Sequence, residues 1–175
     1  APAFNPPADG IALDGLWRAW RFIESATRDP QNLEGRINMM SASLQGALAF
    51  QKGLGCVHSL SHALGGINPR LHHGTLNAIF LPAVITFNRK AATVLNEHKM
   101  ARIAQAMGLA DENQIEQAIR DMTRALGLPT GLRELGVSEE QYPRIIQGAL
   151  ADHSHRTNPR EASAEDYQWL LEASM

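Results

Sequence analysis

Nowhere in these 175 residues does apolar–polar alternation last long enough to make a half-buried strand. Apolar side chains recur instead every three or four positions, which restricts the chain to helices packed on helices. Over residues 9–23, apolar residues at 13, 16, 17, 20 and 23 form a helix-period stripe that predicts Trp17 and Trp20 on the buried side. Asp29-Pro30 reads as an N-cap followed by proline at the first helical position, opening a second helix that runs to about Lys52. Gly53 and Gly55 interrupt it, and a short helix through His58 and His62 is expected to end at Gly65-Gly66. Residues 74–88 are strongly apolar and contain Pro82, which a central strand would not tolerate, so they predict a buried helix kinked at that proline. Asp111-x-x-Gln114 and Ser138-x-x-Gln141 are capping boxes, the first followed by Ile115, Ala118, Ile119, Met122 and Leu126 on one face. Ser163 is placed to cap a last helix ending near Leu171. The expectation is an all-α fold, a single multi-helix domain of about eight helices over residues 1–175, with no repeat and no linker.

Composition narrows what such a domain can do. A formal charge of −2 and the lack of a basic stripe argue against nucleic acid as a partner. The longest apolar-rich run, residues 78–87, contains Pro82 and is too short for a bilayer, so no membrane partner is expected. A single cysteine, Cys56, excludes a disulfide framework and suits a reducing, cytoplasmic setting. The first residues lack the basic start and apolar stretch of a signal peptide. The chain opens without Met, and a processed, engineered or fragmentary product is therefore the expectation.

Chemistry concentrates in one place. His58, His62, His72 and His73 put four of the seven histidines into sixteen residues, bracketed by Gly55, Gly65, Gly66 and Gly74. A helix carries His58 and His62 on one face, one turn apart. Neutral imidazole is the commonest protein metal ligand and titrates near neutrality. The His-x-x-x-His spacing matches the zinc-protease helix, but Ser59 stands where that chemistry needs a glutamate base, so that reading fails. Cys56 as a nucleophile is disfavoured, because side chains two apart on a helix point away from each other. A bland alternative makes His58 and His62 satisfied core or capping residues; the density of histidines weighs against it. His98 lies on a polar stretch and reads as solvated, while His153 and His155 follow the Ser138 helix and are open to either reading.

In these residues the chain resembles the iron-containing (group III) alcohol dehydrogenase family. The pattern Gly-x-x-His-x-x-x-His-x-x-Gly is met by Gly55, His58, His62 and Gly65. A following His-Gly-x-x-Asn-Ala-x-x-Leu-Pro is met by His73-Gly74, Asn77-Ala78 and Leu81-Pro82. Weaker similarity reaches Asn5-Pro6 with Asp9, Phe87-Asn88 and Asn158-Pro159-Arg160-Glu161, so it spans essentially the whole chain.

The resemblance implies the C-terminal helical domain of a two-domain enzyme whose N-terminal dinucleotide-binding domain is missing here. His58 and His73 then correspond to two of four metal ligands, with His72 as the alternative to His73. His62 corresponds to a non-ligand catalytic histidine between metal and nicotinamide. The other two ligands, an Asp and a His one turn apart, are expected upstream; Asp9 and Asp14 do not qualify, because Leu13 and Arg18 follow where the His should be. Phe50 is expected against the nicotinamide and Ser154 in the wall of the substrate pocket. The implied cofactors are Fe²⁺, replaceable by Zn²⁺, and NAD or NADP. The implied substrate is a small alcohol or aldehyde, and a homo-oligomer is left open. The ion acts as a Lewis acid on the alcohol oxygen while hydride passes to the nicotinamide, with His62 relaying the proton. The rival reading is a non-catalytic helical binding or scaffold module that keeps the histidine motif. On either reading the isolated chain is expected to have little or no dehydrogenase activity.

Overall fold

Asn5 opens the first helix by accepting the Ala8 N–H on its side-chain oxygen at 3.2 Å. Pro6 and Pro7 fill the first helical positions, where a missing N–H leaves no bond unmade. The computed structural model describes residues 1–175 as nine α-helices linked by short 3-10 turns, with no strand. Helix α1 (Pro6–Arg28) is longer at both ends than its apolar stripe predicts, and Asp29 closes it rather than starting the next helix. The Asp29 carboxylate takes the Gln31 N–H in a local turn, and the cap of α2 (Leu33–Ala49) falls to Asn32, which accepts from Gly35.

Beyond a 3-10 turn at Phe50–Lys52 come α3 (Cys56–Ile67) and α4 (His73–Asn88). Helix α3 runs through Gly65 and Gly66 instead of stopping there; both have open space around them and neither has a positive φ. Helix α4 is a single element through Pro82, with Leu76, Ile79, Phe80, Ala83, Val84 and Phe87 buried on its inner face. The remaining helices are α5 (Ala92–Asn96), α6 (Lys99–Met107), α7 (Ile115–Ala125), α8 (Tyr142–Ala151) and α9 (Ala164–Glu172). The capping boxes at Asp111, Ser138 and Ser163 all form.

Two cores result. The larger sits between α3, α4, α8 and α9 and contains Leu60, Leu64, Leu76, Phe80, Ile145, Tyr167 and Leu170. A smaller one joins α5, α6 and α7, with Leu16 and Trp20 of α1 against it. Trp17, predicted on the same buried stripe, stays outside that core; it is 41% exposed, with the guanidinium groups of Arg18 and Arg21 each 5.7 Å from its ring.

One residue ties the start of α3 to the end of α4. Asn158 accepts the Cys56 N–H at 3.2 Å and exchanges amide hydrogen bonds with Asn88 at 3.1 and 2.7 Å. A Cβ on Gly55 would sit 2.8 Å from that Asn158 oxygen, so glycine is what lets the cap approach. Two residues on, the Arg160 guanidinium lies 3.9 Å from the centre of the Phe87 ring at the end of α4. The Asn-Pro-Arg segment therefore fixes the relative placement of the two helices that carry the histidines.

Candidate metal centre

Helix periodicity puts His58 and His62 one turn apart on α3, and the first turn of α4 brings His73 against both. The ring centres are 5.6 Å apart for His58–His62, 5.3 Å for His58–His73 and 5.3 Å for His62–His73. His72 does not join them. Its Nδ1 accepts the Thr75 N–H at 3.3 Å as the N-cap of α4, an arrangement that engages the ring at the helix terminus.

Asn77, one turn along α4, marks where two imidazole nitrogens converge. Its side-chain NH₂ lies 3.1 Å from His73 Nε2 and 3.4 Å from His58 Nε2. Two ring nitrogens thus face one electropositive group, while Asn77 Oδ1 is buried without a partner. A cation there would meet two neutral, acceptor-ready nitrogens. Burial first, and then the neighbouring imidazoles, holds His58 and His73 below the ordinary histidine value of 6.5. Both therefore stay deprotonated, as ligation requires.

Asp152, at the end of α8, was not singled out by the sequence pattern. It lies 3.0 Å from His62 Nδ1 through one oxygen and accepts the Ser154 N–H at 2.8 Å through the other. Burial pushes this carboxyl up, but the Ser154 and His62 hydrogen bonds outweigh it and leave the group below the usual carboxylate range. His153 stacks on His62 at 5.8 Å between ring centres and is 79% exposed. His62, Asp152 and His153 offer ligand atoms that all lie within 4.8 Å of one another. This end of the domain can hold a metal ion. The available sequence signal was an acid beside a histidine at a helix C-terminus, the pair that reads ambiguously without the fold.

The other candidate residues lie apart. Ser154 is buried next to the cluster, with its N–H on Asp152 and its Oγ 3.5 Å from His153 Nε2. Phe50 is exposed on a different concavity, shared with Leu16, Gly46 and Lys52 and lined by no histidine. His155 turns away to meet the Tyr167 hydroxyl at 3.0 Å, and His98 is exposed. Cys56 is fully buried, and burial raises its thiol to about 11, so it carries no thiolate at neutral pH. Beside His58 and Asn77 lies a largely apolar cavity of about 460 Å³, walled by Leu54, Val57, Leu81 and Ile85. No helix is long and apolar enough to cross a membrane.

An all-helical domain with clustered imidazoles at the meeting of two helices defines a class of metal-binding domain. Residues 1–175 match the model of the Fe-containing alcohol dehydrogenase family, C-terminal part, and the chain belongs to that family. It is 62% identical to 4-hydroxybutyrate dehydrogenase of Cupriavidus necator, covering all of this chain and 47% of that protein. It is 35% identical to 1,3-propanediol dehydrogenase of Klebsiella pneumoniae, over 93% of this chain and 43% of the relative. The chain thus spans about half the length of the curated relatives it matches. A crystal structure of a 1,3-propanediol oxidoreductase superposes with a TM-score of 0.90 at 32% identity, over 98% of this chain and 46% of that one.

Proposed function

We propose that this chain is the metal-holding helical part of a nicotinamide-linked alcohol dehydrogenase or aldehyde reductase. The reading is carried by the convergence of His58 Nε2 and His73 Nε2 on the Asn77 amide. His58 and His73 are the ligands this chain supplies; His72 is not one, because its ring caps α4. When bound, Fe²⁺ or Zn²⁺ would supply Lewis acidity, lowering the pKa of an alcohol or polarising a carbonyl. Imidazole and carboxylate ligands suit several first-row ions, and the donor set fits both. His62, stacked on His73, holds or moves the alcohol proton. The apolar cavity beside His58 keeps water from the reacting end of the substrate. NAD or NADP would be held by a dinucleotide-binding domain that the relatives' greater length accommodates. The identity to 4-hydroxybutyrate dehydrogenase supports a short ω-hydroxy acid, or the matching aldehyde acid, as substrate. A cytoplasmic setting fits the lone reduced cysteine.

Metal analysis of the purified chain tests the ligand set. His58→Ala and His73→Ala should each lower bound metal at least tenfold, and His72→Ala should leave it unchanged. Unchanged metal content in the first two variants would remove the assignment. Because protons compete for the same nitrogens, uptake should be full at pH 7.5. It should fall on acidification only below 6.5, the ordinary histidine value, since both groups are shifted down. The 175-residue chain alone should show little or no alcohol oxidation, and activity should return when a dinucleotide-binding domain is joined to it.

A further inference from the structure

The proposed function asks His62 to accept a proton but says nothing of what keeps its accepting nitrogen free. Imidazole has two nitrogens, and only the one without hydrogen can accept. His62 Nδ1 faces Asp152 at 3.0 Å. Asp152 itself is held, because its other oxygen takes the Ser154 N–H at 2.8 Å and Ser154 is buried. We propose that Asp152 is a positioning residue that pins His62 in its Nδ1–H form and leaves Nε2 as the proton acceptor. An ionised carboxylate can only accept hydrogen bonds, so the proton between the two groups belongs to His62. The ring planes of His62 and His73 lie 15° from parallel, and the Asp152 bond fixes the rotation of the His62 ring within that stack. His153, stacked on the far side of His62, has Nδ1 3.8 Å from Asp152 and makes no hydrogen bond to it.

This inference deepens the dehydrogenase reading and rests on it, yet its first test is independent of activity. Long-range ¹H–¹⁵N spectra of the chain at pH 8 should show His62 with Nδ1 protonated and Nε2 bare. In Asp152→Asn the amide oxygen still caps Ser154, while its NH₂ faces His62 and should drive the ring to the Nε2–H form. Asp152→Ser keeps a capping oxygen too short to reach His62, and should give a mixture of both forms. His153→Ala should leave the His62 spectrum unchanged. An Nε2–H His62 in the wild-type chain, an unaltered form in both Asp152 variants, or a change in His153→Ala would overturn the proposal. In the metal-loaded full-length enzyme, Asp152→Asn should lower kcat by about 10²- to 10⁴-fold with KM within about threefold. A tautomer switch without a fall in kcat would keep Asp152 as the anchor of His62 and refute the proton-accepting role. A fall in kcat without a switch would refute the anchor.

Discussion

The α1–α2 hairpin and the α3–α4–α8–α9 core use their apolar residues in opposite ways. In the core the large side chains point inward: Leu60, Leu64, Leu76, Phe80 and Ile145 are fully enclosed. In the hairpin the enclosed residues are small, Ala8 and Gly15 on one helix and Gly35 and Ala42 on the other. Those small residues let the helices approach closely; a Cβ on Gly35 would lie 3.2 Å from Ala26. The large apolar residues of α2, Leu33, Ile37, Met40, Leu44 and Leu48, point outward, with Met40 72% and Leu44 62% exposed. The histidine cluster is built on the self-sufficient half. Its rings are therefore placed by a core that does not depend on what the hairpin's outer face meets.

That contrast makes its strongest claim about stability. Phe80→Ala or Leu60→Ala should cost about 3–5 kcal/mol, measured as the shift in the urea midpoint, because each opens a cavity under the cluster. A loss below about 1 kcal/mol would mean that this half is not tightly packed. Next in size is the Asn158 clasp. Asn158→Ala should cost about 1–3 kcal/mol, since it leaves the Cys56 N–H and the Asn88 amide without partners. Gly55→Ala should act in the same direction by pushing the cap away.

How much of this was legible depended on the range of the signal. The all-α class, the capping boxes at Asp111 and Ser138, the Ser163 cap and the buried face of α4 follow from residues three or four apart, which a sequence displays directly. The same holds for His58 and His62, and the motif as a whole pointed to the family. Helix ends were less visible. Asn5 and Asn32 act as caps because of the backbone they meet, while Asp29, an equally good cap by type, turns back on Gln31. Trp17 sits on the apolar stripe yet lies outside the core, since α1 meets α2 through its small residues. Asp152 was invisible because its partner is ninety positions away, brought near only when α8 packs along α3. The difference between His72 and His73 was likewise invisible in sequence, because it rests on which of the two caps α4.

Acid should expose the core half before the hairpin. His58 and His73 are held below 6.5 when folded, so the unfolded chain binds more protons just under that pH. The stabilisation is full above 6.5 and is lost as pH falls through the depressed values. Stability of the metal-free chain, followed by urea titration between pH 8 and pH 5, should decline over that window. In a His58→Ala, His73→Ala double variant the decline should be smaller. An equal decline in both would assign the acid sensitivity to groups elsewhere.

The smallest effects separate surface from cap. His72→Ala removes the side-chain acceptor for the Thr75 N–H and should cost about 0.5–2 kcal/mol. His72→Asn, which keeps a capping oxygen, should restore most of it. Leu44→Ala on the outer face of α2 should change stability by no more than about 0.5 kcal/mol, because the side chain already meets solvent. If Leu44→Ala instead costs as much as a core truncation, the hairpin's outer face is covered in solution. The contrast between the two halves would then describe the single chain and not its assembled state.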